Sequence, residues 1–129
     1  MNYYVDVWRD YADFSGRARR KEYWIFTLYH TVILVSGELL AGVLANESSP
    51  IAMVFSLVYL LYALASIVPS VAVSVRRLHD IDKSGSWLFI SLIPFVGAIW
   101  LLILTCTDGT NGPNQYGPDP KDASALMAV

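Results

Sequence analysis

Residues 51–75 read IAMVFSLVYLLYALASIVPSVAVSV, a run without a single charged side chain. An α-helix needs about 20 mostly apolar residues to cross the hydrocarbon core of a bilayer, so this stretch predicts a membrane-spanning helix. Upstream, residues 23–45 form a second such run, interrupted only by His30 and Glu38. Downstream, residues 87–106 form a third, again uncharged. Three oily runs in a chain of 129 residues leave too little polar sequence to cover them in water. The expected fold is all-α: a polytopic membrane bundle of three transmembrane helices in one domain, 23–106. An N-terminal segment (1–22) precedes it and a Gly/Pro-rich tail (107–129) follows.

Composition agrees, with 55% hydrophobic residues, 16% charged residues and a mean hydropathy of +0.46. A formal charge of −2 and no basic tail argue against nucleic acid. The single cysteine, Cys106, has no partner for an internal disulfide and reads as a packing or lipid-facing residue. A small-residue site at Val43-Leu44-Ala45 resembles a signal cleavage site. The long polar leader and Glu38 favour a retained helix. Asn46-Glu47-Ser48 matches a glycosylation triplet but lies tight against two membrane ends.

On a 3.6-residue period Tyr4, Val7, Trp8, Tyr11 and Phe14 share one face, opposite Asp6, Arg9, Asp10 and Asp13. This predicts an amphipathic helix over 1–14, lying in the headgroup layer at the depth aromatic rings favour. Ser15 is placed to cap the following helix, and Arg17, Arg19, Arg20 and Lys21 form a basic collar before Tyr23 and Trp24. Ser49 and Pro50 predict a cap and first helical residue for the second span, which returns antiparallel to the first.

Lys and Arg number five in 1–22, none in 46–50, three in 76–86 and one in 107–129. With three spans, the positive-inside rule puts the N-terminus and the 76–86 loop in the cytoplasm and the tail outside. A re-entrant hairpin at Pro94 and Gly97 competes with the third span. Its arms of 7 and 9 residues are about 10–14 Å long, too short to cross, so a full span is preferred.

Two stripes of small and polar residues face each other across the first two spans. Ser66, Ser70 and Ser74 form a small-residue ladder with Tyr59 above it. His30, Gly37 and Glu38 lie on the opposing stripe. At 1.5 Å per residue Glu38 falls level with Tyr59, and His30 level with Ser66 and within reach of Tyr62. Intramembrane ionisable groups must be hydrogen-bonded, protonated or hydrated. Interhelical hydrogen bonds (Glu38 to Tyr59, His30 to Ser66 or Tyr62) are weighed above a proton or cation relay.

The densest polar cluster is Arg76-Arg77-Leu78-His79-Asp80-Ile81-Asp82-Lys83. A charge network or contact with lipid phosphate fits it better than a metal site, because one imidazole and two carboxylates are a weak ligand set. No nucleophile motif or phosphate-cradling loop occurs, so no catalytic residue, cofactor or metal is assigned.

Three segments together resemble a known family. Phe14-Ser15-Gly16-Arg17-Ala18-Arg19-Arg20-Lys21-Glu22-Tyr23-Trp24 is similar to its F-x-G-R-x-x-R-x-E-Y-W signature. Arg76-Arg77-Leu78-His79-Asp80 with Ser84-Gly85 resembles its R-R-L-H-D…S-G loop, and Asn114-Gln115-Tyr116-Gly117-Pro118-Asp119-Pro120 its N-x-Y-G-x-D-P tail. The family is the bacterial inner-membrane domain-of-unknown-function family 805. Asp82 stands where that family often has Gly, Ser86 where an aromatic is frequent, and Gln115 where Arg is common. The resemblance implies a small bacterial inner-membrane protein and supplies no reaction. It carries over Arg17, Arg20, Glu22, Arg76, Arg77, His79 and Asp80 as a shared cytoplasmic cluster.

The function expected is therefore that of a non-enzymatic inner-membrane module. It would bind a membrane partner, a second copy or anionic lipid through that cluster. One alternative is a small oligomeric channel or transporter subunit using Glu38 and His30. Another is a lipid-headgroup enzyme with His79 and Asp80 as acid and base.

Overall fold

The computed structural model describes residues 2–46 and 48–120. Glu47 in the expected turn and residues 121–129 of the expected tail lie outside them. Among the described residues the protein is all-helical, with five α-helices, one 3-10 helix and no strand.

Helix α1 is Tyr3–Arg9, opened by the Asn2 side chain accepting from Val5 N at 3.3 Å. It is shorter than the 1–14 expected, and its apolar face packs on the bundle. Val7 is fully buried with Ala18, Phe26 and Val73, flanked by Tyr4, Trp8 and Tyr23. Phe26 and Val73 give that face an apolar seat on the bundle itself. Tyr11 and Phe14, beyond the helix, stay exposed. Ser15 caps no helix: its N–H and hydroxyl donate to Asp13 Oδ1 at 3.0 and 2.7 Å, closing a local turn.

Helix α2 is Arg20–Leu44, and α3, Pro50–Ala65, returns beside it. As expected, Ser49 caps α3 by accepting from Ala52 N at 3.2 Å, with Pro50 in its first turn. After an interruption at Ser66 the chain continues as α4, Ile67–Asp80. Pro69 accounts for the break, since it lacks an N–H and its ring crowds the carbonyl four residues back. Taken together Pro50–Asp80 covers 31 residues, and it and α2 are the two described helices long and apolar enough to cross a membrane.

Helix α4 ends in a Schellman turn: Lys83 N donates to Leu78 O at 2.9 Å and Asp82 N to His79 O at 3.0 Å. The turn requires a left-handed residue, and Asp82 supplies it at φ 63°. This is the position where the resembling family often carries Gly.

The third apolar run is not one helix. It folds as a 3-10 helix, Gly85–Leu92, and α5, Val96–Cys106. Pro94 cannot donate, and Phe95 at φ 62°, ψ −59° closes a γ-turn in which Val96 N reaches Pro94 O at 2.7 Å. The two arms then pack so closely that a Cβ on Gly97 would collide with Ile90 O. The arms measure about 16 Å each, from rises of about 2.0 and 1.5 Å per residue. Both ends of the hairpin meet the end of α4: Gly85 lies against Val75, and Arg77 bonds Thr105 O. A single continuous third helix, with the tail leaving on the far side, is thereby corrected.

The core concentrates at this end, around Val7, Phe26, Ala72, Val73 and Leu78. The opposite halves of α2 and α3 display Leu39, Val43, Ile51, Met53 and Val54 to their surroundings.

Candidate functional site

The three motif segments converge at the end of α4. Asp80, with its side chain 1% exposed, is gripped from two directions. Arg17 Nε donates to Oδ1 at 2.9 Å and Arg77 Nη1 to Oδ2 at 2.6 Å. The remaining guanidinium N–H groups are spent on backbone carbonyls. Arg17 Nη1 reaches Gly112 O at 2.7 Å and Nη2 reaches Thr110 O at 2.6 Å. Arg77 Nε donates to Thr105 O at 3.0 Å, and its Nη2 to Thr107 O. Arg20 Nη1 takes the intervening carbonyl, Cys106 O, at 2.9 Å and its Nη2 pairs with Asp108 at 3.0 Å.

Three successive carbonyls at the C-terminus of α5 thus accept from two arginines. These are groups a helix leaves unpaired, at the end where its dipole favours cations. The arginines of the first two motifs therefore fix where the hairpin and tail come to rest. Gly109 is needed here, since a Cβ would strike the Asp80 carboxylate. Thr110 N closes the contact by donating to Asp80 O at 2.7 Å.

His79 completes the join. Its Nδ1 lies 2.9 Å from Gly16 O, and its ring stacks on Tyr116 at 3.9 Å with 2° between planes. Asn114 Nδ2 donates to His79 O at 2.9 Å. Asp119 Oδ2 accepts from Gly112 N at 3.0 Å, folding the tail on itself. The tail expected to be irregular is thus pinned residue by residue as far as Asp119.

Arg76 and Glu22 form a second pair at 2.9 Å, 5% and 17% exposed. Only Nη1 of Arg76 is engaged; its Nε and Nη2 are buried without an acceptor. An orphaned buried donor costs about 1–3 kcal/mol, and more when charged. Arg76 lines a cavity of about 370 Å³ together with Asp6, Asp10, Asp13, Arg19 and Glu22. At the cavity wall the Asp13 carboxyl is held below its ordinary value, chiefly by the Ser15 hydroxyl hydrogen bond.

All seven cluster residues are therefore brought together. Arg17, Arg77 and Asp80 are turned inward, with their polar atoms committed to one another and to backbone. Arg20 remains about half exposed. Arg76 alone of the seven has buried donors without an acceptor.

The polar residues expected inside the spans pair across α2 and α3. Tyr59 OH donates to Leu34 O at 3.0 Å and to Glu38 Oε2 at 3.4 Å. His30 Nδ1 lies 3.0 Å from Tyr62 OH, which lies 2.8 Å from Tyr4 OH of α1. Ser66 is buried and donates to Ala63 O at 2.8 Å, so His30 takes Tyr62 as its partner. Ser70 Oγ has no partner, while its carbonyl accepts from Ser74 at 2.7 Å. Among the described residues no group of three or more His, Cys, Asp or Glu could hold a metal ion. The contribution of α1 through Tyr4, and of tail carbonyls to the arginines, was missed in the sequence.

Two helices of membrane-crossing length, a polar end closed by buried arginines and the three ordered motifs define a small integral membrane protein. The chain belongs to the family described as "Protein of unknown function (DUF805)", whose profile matches residues 11–118. It is similar to "Inner membrane protein YhaI" of Escherichia coli (strain K12), 43% identical over 124 residues, covering 96% of this chain and 99% of that one. "Inner membrane protein YhaH" of the same strain is 38% identical over 121 residues, 94% and 98% of the two chains. No solved structure matches.

Proposed function

We propose that the chain is a non-enzymatic module of the bacterial inner membrane, crossing it with α2 and with α3 and α4. Helix α2 is about 37 Å long and Pro50–Asp80 about 46 Å at 1.5 Å per residue, against a hydrocarbon core of about 30 Å. The arms at Gly85–Leu92 and Val96–Cys106 are half that depth, which makes them a re-entrant hairpin with exposed Phe95 at its tip. Every described Lys and Arg falls in 9–21 or 76–83, and none in the 46–50 connection. The polar end then faces the cytoplasm. Helix α1 sits at that same leaflet, docked on the bundle.

On this reading the Asp80 clasp holds the N-terminal segment, the hairpin and the tail as one rigid cytoplasmic face. That face binds a lipid phosphate. The observation that carries this is Arg76, which lines the cavity and whose buried Nε and Nη2 lack acceptors. The non-enzymatic reading is supported by the commitment of both Asp80 oxygens to guanidinium groups and of His79 to Gly16 and Tyr116. Native mass spectrometry of detergent-purified protein tests it: phospholipid adducts survive mild activation and are lost in Arg76→Gln. Adducts equal in both proteins, or absent from both, contradict it.

A second reading, an oligomeric pathway, rests on Glu38, whose hydrogen bond to Tyr59 lies on an exposed part of the α2 and α3 face. Cation or proton flux in proteoliposomes that falls in Glu38→Gln would favour it.

A further inference from the structure

We propose that the cavity beside Arg76 takes a headgroup carrying both a phosphoryl group and a primary ammonium, as phosphoethanolamine does; this rests on the lipid-binding reading above. The cavity is bipolar once its internal pairs are set aside. Arg76 Nη1 is satisfied by Glu22, and Asp6 pairs with Arg9 at 3.4 Å. What remains is Arg76 Nε and Nη2 and Arg19 Nε, all buried donors without acceptors. The same lining holds the carboxylates of Asp10 and Asp13; Asp13 accepts from Ser15 and is drawn to the Arg76 charge as well.

Each simpler ligand leaves one half unmet. A headgroup that is only anionic brings its phosphate beside Asp10 and Asp13, where like charges repel it. A bare cation answers the carboxylates and leaves the Arg76 and Arg19 donors orphaned. A phosphoryl oxygen accepts from the guanidinium edge as a charge-assisted hydrogen bond. An ammonium two carbons away donates three N–H bonds, which the Asp10 and Asp13 carboxylates of the lining can accept. A trimethylated ammonium has no N–H to give. The volume of about 370 Å³ is within the range of small-molecule pockets, about 300–1,000 Å³. The cavity is walled by α1 and the segment after it, with Glu22 of the first turn of α2, Arg76 of α4 and Pro120 of the tail completing the lining.

The test incubates the full-length detergent-purified protein with phosphatidylethanolamine, phosphatidylglycerol or phosphatidylcholine of identical acyl chains. Retained adducts are counted by native mass spectrometry. Phosphatidylethanolamine should be retained severalfold over the other two, and Asp10→Asn with Asp13→Asn should abolish or invert that preference while the melting temperature holds. Soluble O-phosphoethanolamine that displaces the lipid shows that the headgroup suffices; displacement only by intact phosphatidylethanolamine shows that the lipid is the source. Both support the proposal. Equal retention of all three lipids, or preference for phosphatidylglycerol in the unaltered protein, overturns this assignment and leaves lipid-phosphate binding standing. No retained lipid at all overturns both.

Discussion

Arg17 and Asp80, sixty-three positions apart, form an ion pair at 2.9 Å with both side chains 1% exposed. A buried pair of this kind stabilises only when its remaining donors and acceptors are met, because desolvation offsets the Coulombic attraction. Here they are met by Arg77 and by carbonyls of the returning tail, so the pair depends on the tail and the tail on the pair.

Removing one member leaves charge buried without its counterion, which costs about 3–5 kcal/mol. Asp80→Ala strands two guanidiniums. It should lower the melting temperature in detergent sharply and expose the segment after Cys106 to protease. Arg17→Ala should free the same tail with a smaller loss, because Arg77 still holds Asp80. Protease resistance in both variants equal to that of the parent would show that the tail is held by other contacts.

Asp82 holds the left-handed position of the Schellman turn at φ 63°. A left-handed conformation costs an L-residue about 1–2 kcal/mol, least for Asn and Asp. Asp82→Val should destabilise by about that amount, whereas Asp82→Gly should match or exceed the parent. Thermal denaturation of the two variants reads the difference directly. A valine as well tolerated as glycine would mean that the turn opens in solution.

Tyr62 OH stands between His30 and Tyr4, at 3.0 and 2.8 Å. Tyr62→Phe removes one hydroxyl from a part-buried network, for a loss of about 1–2 kcal/mol. The specific signature lies elsewhere: hydrogen exchange should quicken over Tyr3–Arg9, since that hydroxyl ties α1 to the bundle. Unchanged exchange there would mean that Val7 and Trp8 alone hold the helix.

Gly37 faces the Tyr59 ring with no room for a side chain. Gly37→Leu should push α3 away from α2 and break the bond from Tyr59 OH to Leu34 O. Hydrogen exchange over the middle of α3 should quicken several-fold in Gly37→Leu, with Tyr59 left in place. Unchanged exchange there would show that Tyr59 has another rotamer available.

Much of this architecture was legible in sequence because hydropathy and helical rise are local properties. Counting residues from the Ser49-Pro50 turn puts Glu38 level with Tyr59 and His30 level with Ser66 and within reach of Tyr62; Glu38 meets Tyr59, and His30 meets Tyr62 rather than Ser66. The hairpin at Phe95 was missed for a physical reason. Arms too short to cross a bilayer argue against a return only if each arm must span, and a re-entrant segment need only reach part way. The clasp was hidden differently. Arg17, Arg20 and Arg77 are answered largely by carbonyls of Thr105, Cys106, Thr107, Thr110 and Gly112, and a carbonyl acceptor leaves no mark on residue identity. Helix α1 shows the same limit, since its amphipathic period says that one face is apolar and not what that face meets.

The claim on which the account depends is that the N-terminal collar, the α4 end and the tail occupy one side of the membrane. The most direct measurement replaces Cys106 with Ser and introduces single cysteines at Asn46, Asn111 or Ser15, then labels intact cells with a membrane-impermeant maleimide. The account predicts labelling at position 46 alone, with positions 15 and 111 reacting only after the membrane is opened. Labelling of position 111 from outside, with position 15 protected, would contradict it.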